Sequence, residues 1–372
     1  MTERILITGG AGFVGSHLAD APLQRGHSVR CLDNLTEQVH GGMPPEYLSP
    51  DVELIHGDVR DPEVVRSALR GVDAIYHFAA AVGVGQSMYQ IERYMDINTL
   101  GTAQLLQALL DTKTPIKKLV VASSMSIYGE GAYTCSHCGA VAPPVRTMAQ
   151  LQAGQWDVFC PKCMGPLQPQ STPETKPSEV TSVYALSKRD QEELCLIYGR
   201  TYDIPVVALR FFNIYGPRQA LSNPYTGVAA IFAARLLNNQ APLVFEDGQQ
   251  QRDFVSVHDI VRANLLALES DDANNQVINI GSGKPITIRR VAAILAQSLG
   301  KDIAPEITGR FRAGDIRHCY ADISKARELL GYEPQVSHEQ GFAELAEWLE
   351  SQSAEDRSEE AARELQAFGI SA

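Results

Sequence analysis

The stretch Arg4-Ile5-Leu6-Ile7-Thr8-Gly9-Gly10-Ala11-Gly12-Phe13-Val14-Gly15 decides the fold. Its first part is a short run of branched apolar residues, which predicts a buried strand. A helical pattern from Ser16 to Arg25 follows the glycines. Glycines let a backbone approach an anion, and the free N–H groups at a helix start point towards it. The stretch therefore predicts a strand, a glycine turn and a helix that together bind a pyrophosphate.

Five more apolar segments with strand character follow at regular intervals along the chain. They begin at Ser28, Val52, Asp73, Lys118 and Val206, and a helix is predicted from about Gln90 to Leu110. This alternation predicts an α/β fold with a Rossmann-type doubly wound parallel sheet, whose ligands lie at the carboxyl ends of the strands. Residues from five of those ends would then meet in one crevice: Gly12, Asp33, Ala79, Ser124 and Tyr184.

The change of pattern along the chain predicts four parts. A dinucleotide-binding domain covers residues 1–130 and 176–215, and residues 131–175 form an insertion. Residues 216–350 form a smaller substrate-binding α/β part, some of whose strands can return to the first sheet. Residues 351–372 are predicted to be a charged helical tail.

Asp33 ends the second predicted strand and bears on the choice of dinucleotide. A carboxylate there accepts hydrogen bonds from the adenosine ribose hydroxyls and repels a 2′-phosphate, so NAD is preferred over NADP. The alternative interpretation is that Asp33 is a solvated aspartate in a turn and has no role in binding. Asp58, at the end of the third strand, is placed to face the adenine.

Tyr184 and Lys188 are four residues apart in the segment from Thr181 to Lys188, so on a helix they share one face. An ammonium beside a phenol favours the phenolate and lowers the tyrosine pKa. Such a tyrosine takes a proton from a sugar or alcohol hydroxyl and later returns it. The pattern is short and also arises by chance, so the rest of the chain decides its meaning.

Two C-x-x-C pairs, each followed closely by glycine, interrupt the α/β pattern. Their cysteines are Cys135, Cys138, Cys160 and Cys163. Four thiolates satisfy tetrahedral zinc and leave no position for water, which predicts a structural zinc ion rather than a catalytic one. A dithiol redox pair is the alternative. We expect the segment to form a rigid flap over the bound sugar or an added interface.

Composition limits the partners. The formal net charge of −12 over 372 residues argues against a nucleic-acid surface and an anionic membrane face. The first residues enter a strand at once, and no run of eighteen apolar residues occurs, so we expect a cytoplasmic location. Arg252 and Arg312 lie in predicted loops and suit either phosphate binding or surface ion pairs.

These motifs together resemble the extended short-chain dehydrogenase/reductases of the nucleotide-sugar epimerase and dehydratase group. The resemblance runs from about Arg4 to Trp348. The matching motifs are Gly9-Gly-Ala-Gly12-Phe-Val-Gly15, Asp58-Val59, His77-Phe-Ala-Ala80, Asn98-x-x-Gly101-Thr102, Ser123-Ser124 with Tyr128-Gly129, Tyr184-x-x-x-Lys188, Arg210-Phe-Phe-Asn213-x-Tyr-Gly-Pro217, Arg252-Asp-Phe-Val255 and Arg312-x-Gly-Asp315.

The resemblance implies a tightly held NAD and a catalytic set of Ser124, Tyr184 and Lys188. It places the sugar or its diphosphate against Ser124, Asn213, Arg252 and Arg312. It also implies which residues hold the cofactor: Gly9, Gly12, Phe13, Val14, Gly15, Asp33, Asn34, Asp58, Val59, Ala79, Ala80, Asn98, Ser123, Tyr184 and Lys188. Members of the group commonly form homodimers through two helices, and the face with Leu105, Leu106 and Leu109 suits either that contact or the core.

Two departures from the family pattern narrow the expected activity. The 4,6-dehydratases of the group carry an acid and a base directly after the position of Ser124, whereas this chain has Met125 and Ser126. Neither side chain can remove water across a sugar bond. The resemblance therefore implies a nucleotide-sugar 4-epimerase acting through a transient 4-keto sugar, with a dTDP-deoxysugar as the suggested substrate. A 4-ketoreductase and a non-catalytic NAD-binding regulator are the alternatives. The second departure is the cysteine segment, which most members lack.

Overall fold

The structure, a computed structural model, describes residues 2–221, 223, 225, 227–312, 314–352, 356 and 358–370. Its strands are β1 Arg4–Thr8, β2 Ser28–Asp33, β3 Glu53–His56, β4 Ala74–His77, β5 Lys118–Ser124, β6 Ala132–Cys135, β7 Gly139–Val141, β8 Gln168–Gln170, β9 Val206–Phe211, β10 Asn213–Tyr215, β11 Leu243–Val244, β12 Gln251–Ser256, β13 Gln276–Ile280, β14 Pro285–Thr287, β15 Glu306–Ile307 and β16 His318–Cys319.

Helices cover much of the remaining chain. They are α1 Phe13–Gln24, α2 Glu37–His40, α3 Pro62–Ala68, α4 Val84–Ser87, α5 Ile91–Tyr94, α6 Gly101–Thr112, α7 Met148–Gln152, α8 Val183–Tyr202, α9 Val228–Leu237, α10 Val257–Glu269, α11 Ile288–Ser298, α12 Ser324–Leu330, α13 His338–Glu350 and α14 Ser358–Ala367. A π-helical segment, Met95–Leu100, joins α5 to α6, and a 3₁₀ turn, Met125–Tyr128, follows β5.

Seven strands form the main sheet in the order β13-β9-β5-β4-β1-β2-β3, and every neighbouring pair is parallel. Strands β5 and β9 are buried along their whole length, as expected for parallel strands covered by helices on both faces. The predicted doubly wound parallel sheet is therefore confirmed.

Apolar side chains fill the space on both faces of this sheet. One cluster contains residues of α1 and α10, and the other contains residues of α3, α6 and α8. Leu105 and Leu109 are 0% and 1% exposed and belong to the second cluster. The apolar face of α6 that carries them is thus core rather than a free surface.

The observed elements of the main sheet and its helices differ from the predicted ones at two places. Helix α1 begins at Phe13 rather than Ser16, because Gly12 is its N-cap and the glycine turn runs directly into the first helical turn. A seventh strand, β13, lies in the C-terminal part of the chain and pairs with β9 at the edge of the main sheet.

A smaller unit follows β9 and packs around its own apolar cluster. Strand β12 is its centre, with β10 and β16 parallel to it and β14 antiparallel. Helices α9, α11 and α13 contribute the cluster, which includes Phe232 and Phe342. Helix α9 begins at Val228, and Ser222, Pro224 and Thr226 before it lie outside the described residues.

The cysteine segment forms a three-stranded antiparallel sheet in the order β7-β6-β8. A β-bridge between Thr172 and Ala321 ties its end to the loop after β16. The C-terminal helix α14 lies against the substrate side of the molecule, where Phe368 stacks on Tyr89 with ring centroids 4.7 Å apart. No helix in the described part of the chain is long and apolar enough to cross a membrane.

Candidate active site

A cavity of about 1220 Å³ opens at the carboxyl ends of the central strands of the sheet. The predicted catalytic residues Ser124, Tyr184 and Lys188 line it. So do the predicted substrate-binding residues Asn213, Arg252 and Arg312. Of the predicted cofactor-binding residues, the following line it as well: Gly9, Gly12, Phe13, Val14, Gly15, Asp33, Asn34, Asp58, Val59, Ala79, Ala80 and Ser123. The structure thus brings together residues from both halves of the chain.

The glycine turn packs directly against the next strand end. Gly9 has a φ of 70°, and a Cβ atom there would lie 2.8 Å from the backbone nitrogen of Ala79, so only glycine fits this turn. Gly12 caps α1 without a side-chain hydrogen bond to the first turn. The N–H groups at this helix start therefore face the cavity without a side-chain acceptor, as anion binding requires.

Asp33 is 8% exposed and holds the glycine turn as well as lining the cavity. Its carboxylate accepts hydrogen bonds from the backbone N–H groups of Ala11 and Leu35, each at 3.0 Å. The aspartate is therefore not a solvated turn residue. It fixes the shape of the phosphate turn and keeps a negative charge at the wall.

Asp58 lies farther along the same wall. Arg60 donates two side-chain hydrogen bonds to its carboxylate, and Asn34 donates a third at 3.0 Å. The bonds from Arg60 lower the pKa of Asp58 to about 2, so the carboxylate is ionised at neutral pH. The guanidinium of Arg60 neutralises much of the charge of the Asp58 carboxylate. The carboxylate is therefore suited to accept hydrogen bonds from neutral donors.

Tyr184 lies in the first turn of α8, where it is half-buried and lines the cavity. Ser182 caps the helix by accepting a hydrogen bond from the backbone of Ala185 at 3.1 Å. Ser124, at the end of β5, accepts a hydrogen bond from the hydroxyl of Ser126 at 2.9 Å and lies near enough to Tyr184 to lower the pKa of its phenol. Two elements that are 60 residues apart in the chain thus place a hydroxyl beside the phenol.

The electrostatics of Tyr184 differ from the sequence prediction. Burial raises the pKa of Tyr184, while the hydrogen bond with Ser124 opposes this rise. Lys188 donates to Gln191 at 2.6 Å, and burial lowers the lysine pKa to about 8. The expected lowering of the tyrosine pKa by Lys188 is therefore not what the structure shows, because burial dominates both groups.

Asn98 is the predicted cofactor-binding residue that does not line the cavity. It is 0% exposed and exchanges hydrogen bonds with both the N–H and the carbonyl of Ala81, at 2.7 and 3.1 Å. It also donates to Ser187 at 2.9 Å. Asn98 therefore fixes the backbone after β4 against α8.

The hydroxyl of Ser123 is also engaged within the protein. It donates to Glu192 at 2.6 Å, and Glu192 in turn accepts two hydrogen bonds from Arg210. Ser123 contributes its surface to the cavity while its hydroxyl holds β5 to α8. The acceptor that a ligand would meet at the end of this strand is Ser124.

The far end of the cavity contains buried polar atoms without a hydrogen-bond partner in the described structure. They are Asn213 Oδ1, Gln219 Oε1, Gln250 Oε1 and Arg312 Nε. Unpaired buried polar atoms cost about 1–3 kcal/mol each, so the presence of four such atoms in residues that line one cavity indicates a polar ligand. Sequence reasoning missed both glutamines, since no motif or periodicity distinguishes them.

The two predicted phosphate-binding arginines have different surroundings. Arg252 donates to the backbone carbonyls of Ile316 and Arg317 at 2.6 and 3.0 Å, which ties β12 to the loop before β16. The guanidinium of Arg312 lies over the ring of Phe245, 4.6 Å from its centroid. Neither arginine forms a surface ion pair among the described residues.

The cysteine segment does not border the cavity. All residues from 131 to 175 are described, and none of them lines it, so the predicted flap over the sugar is wrong. The C-terminal helix α14 covers part of the cavity instead: Ala361 and Leu365 line it, and Glu364 accepts a hydrogen bond from Tyr89 at 2.7 Å.

The four cysteines of the insertion nevertheless form one compact cluster. The sulfur atoms of Cys135, Cys138, Cys160 and Cys163 all lie within 4.8 Å of one another, and none is in a disulfide. A hairpin carries the first pair. The second lies in a tight turn closed by a hydrogen bond from Cys160 N–H to the carbonyl of Gly165 at 2.8 Å.

The chain belongs to the NAD dependent epimerase/dehydratase family. The model of this family matches residues 5–149 and 161–281, and the gap between the two segments falls inside the cysteine insertion. The family match accounts for the sheet, the glycine turn and the strand ends that form the cavity.

Individual relatives cover nearly the whole chain. The dTDP-L-rhamnose 4-epimerase of Burkholderia thailandensis is 35% identical over 350 residues, which is 93% of this chain and 95% of the relative. The crystal structure of UDP-glucose 4-epimerase from Thermotoga maritima with UDP-glucose has a TM-score of 0.75 at 31% identity, covering 93% and 98% of the two chains. The UDP-glucuronic acid 4-epimerase of Bacillus cereus, solved in complex with UDP-glucuronic acid and NAD, has a TM-score of 0.76 at 27% identity, covering 93% and 99%.

Proposed function

We propose that this protein is an NAD-dependent nucleotide-sugar 4-epimerase. The observation that carries the proposal is the convergence of Ser124, Tyr184 and Lys188 with the glycine turn on one cavity. The far end of this cavity holds the unpaired polar atoms that a sugar nucleotide would satisfy. The related 4-epimerases support the same activity.

The residues present fit a bound NAD. The helix start at Gly12 would hold the pyrophosphate, and the Asp33 carboxylate would receive the adenosine ribose and oppose a 2′-phosphate. Ala79 and Ala80 offer a small-residue wall at the end of β4. Lys188 would lie at the nicotinamide ribose. When bound, NAD supplies a hydride acceptor that later returns the same hydride.

Tyr184 would move the proton in this reaction. In its ionised form, its phenolate oxygen would take the proton of the sugar C4 hydroxyl while C4 gives up a hydride, so that a 4-keto sugar would form. Ser124 would hold the reacting oxygen by a hydrogen bond. After the ketone turns over in the cavity, hydride returns to the opposite face of C4 and Tyr184 gives the proton back. Atoms and charges balance, and the cofactor ends each cycle in its starting oxidation state.

Burial sets a requirement on this proton transfer. The pKa of Tyr184 is raised by burial, so its phenol is protonated in the ligand-free protein at neutral pH. A positive charge near the phenol is needed to favour its ionised form. Lys188, with a pKa of about 8, remains mostly protonated at pH 7 and is one such charge, one helical turn away. The cationic nicotinamide ring of NAD would be another.

The residues beside Ser124 disfavour dehydration. Met125 is 8% exposed, and the Ser126 hydroxyl donates to Ser124. Both line the cavity, yet neither is a carboxylate that could protonate a leaving hydroxide or remove a C5 proton. We therefore propose that the keto sugar is reduced again without losing water.

Proton NMR of the purified protein tests this function. The protein is incubated without added cofactor with dTDP-L-rhamnose, UDP-glucose, UDP-glucuronate and GDP-mannose in separate samples. An epimerase gives a new anomeric signal that reaches a constant ratio and is absent with Tyr184→Phe. The 35% identical relative makes dTDP-L-rhamnose the first choice. Silence in all four samples, followed by NADH consumption with 4-keto sugars, would identify a ketoreductase instead.

We also propose that the four cysteines bind one structural zinc ion. In tetrahedral zinc sites the zinc–sulfur bonds are about 2.3 Å long, which places the sulfur atoms about 3.8 Å apart. The four sulfur atoms lie within 4.8 Å of one another, so small shifts of the side chains would bring them to this distance. The Sγ atoms of Cys135 and Cys163 lie 3.5 Å apart, which is much longer than the S–S bond of a disulfide. The closed set of four thiolates favours a structural role over redox chemistry.

Metal analysis by mass spectrometry tests the zinc proposal. We expect one zinc per chain in the purified protein and less than a tenth of that amount in Cys138→Ser with Cys163→Ser. An isolated cysteine far from the cluster, Cys195→Ser, is the matched control. Four titratable thiols in the native protein without metal would contradict the proposal.

The proposed partner in assembly is a second copy of this chain. Leu186 and Ile197 on α8, and Leu100 just before α6, are large apolar residues that are 37%, 52% and 48% exposed. A homodimer through these two helices would cover them. Light scattering after size exclusion should give twice the chain mass. A monomer at micromolar concentration would contradict this proposal.

A further inference from the structure

We propose that Arg146, in the cysteine insertion, is a positioning residue that sets nucleotide-sugar affinity from behind the cavity wall. The inference rests on the proposed function in one respect, that the cavity binds a sugar nucleotide. It assigns a role to an insertion that contributes no wall of its own.

Arg146 reaches out of the insertion into the substrate-binding part. Its side chain is 2% exposed and forms a bidentate ion pair with Glu246, at 2.9 and 2.8 Å. It also donates to the backbone carbonyl of Asp315 at 2.8 Å. Glu246 and Asp315 both line the cavity. One guanidinium thus holds two separate loops of the substrate end together.

A second buried arginine completes the network. Arg317 is 2% exposed and donates to the same carboxylate of Glu246 at 3.0 Å, while Asp247 accepts two more of its hydrogen bonds. The insertion contributes again here, because Asp157 accepts from Arg317 at 3.0 Å. Glu130, directly before the insertion, accepts from the backbone N–H of Arg317 at 2.6 Å.

The loop held in this way carries one predicted phosphate ligand, Arg312, and accepts a hydrogen bond from the other, Arg252. The backbone carbonyl of Arg317 accepts from Arg252, and Arg312 lies five residues earlier on the same loop. Glu246 directly follows Phe245, the ring under Arg312. Insertion residues also pack on this loop from outside, where Trp156 and Phe311 have ring centroids 6.2 Å apart.

The position of Glu246 between two arginines explains why the loss of Arg146 would move the loop. Glu246 is 2% exposed and lies between the two guanidinium groups of Arg146 and Arg317. A buried carboxylate that loses one of two cationic partners is poorly solvated, so its loop moves towards water. Displacement of the loop that carries Arg312 and accepts hydrogen bonds from Arg252 weakens nucleotide-sugar binding. The Tyr184 region and the glycine turn are not part of this network.

The test compares Arg146→Met and Arg146→Lys with the unsubstituted protein. Arg146→Lys keeps the positive charge but loses the bidentate geometry. We expect at least a tenfold weaker equilibrium affinity for dTDP and UDP by calorimetry in Arg146→Met, and a smaller loss in Arg146→Lys. Displacement of binding groups by about 1 Å commonly has effects of this size. KM for the sugar nucleotide should rise in parallel, with kcat within about threefold and NAD content unchanged.

Arg70→Met, which removes an exposed arginine after α3 and away from the cavity, is the matched control and should leave every quantity unchanged. Nucleotide binding is measured without turnover, so failure of the epimerase assignment appears as inactivity of the unsubstituted protein and does not affect the comparison. Affinity within twofold of the unsubstituted protein would overturn the proposal. A parallel loss of NAD and nucleotide, or failure of both Arg146 variants to fold, would also overturn it by assigning the residue to global stability.

Discussion

Replacement of Lys188 by methionine should stabilise the protein while removing its activity. Burial lowers the pKa of Lys188 from 10.5 to about 8, so the unfolded chain binds a proton more tightly than the folded one does. At about 1.4 kcal/mol per pH unit, the buried ammonium costs roughly 3 kcal/mol of stability at pH 7. Methionine has a similar length and carries no charge.

The net gain is smaller than this cost. Gln191 Oε1 accepts a hydrogen bond from Lys188 at 2.6 Å, and losing that donor costs about 1 kcal/mol. We therefore expect Lys188→Met to gain about 2 kcal/mol, which is about 3 °C in Tm for a chain of this size. Thermal unfolding should be followed on protein stripped of NAD, since a bound ligand adds its own stabilisation.

The pH dependence provides the sharper check. Between pH 8 and 10.5 the unfolded state binds more protons at this site, so the unsubstituted protein gains stability as pH rises, whereas the variant has no such gain. The advantage of Lys188→Met should therefore shrink across this window. Turnover should fall at least a hundredfold. A Tm that falls at pH 7, or an advantage that stays constant to pH 10.5, would refute the reasoning.

Lys118→Met is the matched control for this experiment. Lys118 is also a buried lysine whose pKa is lowered by burial, and its ammonium donates to the backbone carbonyl of Ser270 at 2.6 Å. It lies at the start of β5, at the opposite end of the strand from Ser124. We expect its replacement to leave turnover unchanged.

Three further predictions follow from the same geometry. In the unsubstituted protein, kcat/KM should decline as pH rises through about 8, because Lys188 loses its proton there, and Lys188→Arg should move this decline to higher pH in a pH–rate profile. Asp33→Ala should lower the NAD that co-purifies with the protein by at least tenfold, measured after acid extraction, since the carboxylate also holds the backbone N–H of Ala11 in the glycine turn and that of Leu35 after β2; unchanged NAD content would contradict its role. A chain that ends at Gln352 should bind nucleotide sugars severalfold more weakly in calorimetry, because α14 and its contact with Tyr89 cover part of the cavity. Equal affinity would show that α14 does not contribute to nucleotide-sugar binding.

The fold was largely predictable because its signals are local. Arg4 to Gly15 contains a strand, a turn that only glycine fits and a helix start, and each is decided by its own residues. The strand at Gln276–Ile280 was not predicted, because a short segment with polar Gln276 and Asn279 has no clear period of its own. It becomes a strand by pairing with β9 at the sheet edge.

The candidate site was predictable as a set of positions and much less so as a set of contacts. Ser124 and Tyr184 come together because strand ends and helix starts of an α/β sheet share one edge. The hydrogen bonds of Asn98 to Ala81, and the raised pKa of Tyr184, depend on burial and on partners far away in sequence. Neither these hydrogen bonds nor this pKa can therefore be predicted from a local sequence pattern.

The insertion illustrates the same limit. Its four cysteines are recognisable by spacing alone, and the structure gathers them. Their spacing does not reveal that Arg146, between the two pairs, contacts Glu246 one hundred residues later. The sequence therefore predicts the cluster but assigns the wrong place to the insertion, over the sugar instead of behind the loops that face it.

The fate of deuterium at C4 tests the central claim most directly. A nucleotide sugar deuterated at C4, with dTDP-L-rhamnose as the first choice, is incubated with the purified protein in ordinary water and followed by NMR and mass spectrometry. We expect a product inverted at C4 that keeps its deuterium, because the hydride leaves and returns within one cavity without exchange with water. Inversion with loss of deuterium to solvent, or turnover that persists in Tyr184→Phe, would contradict it.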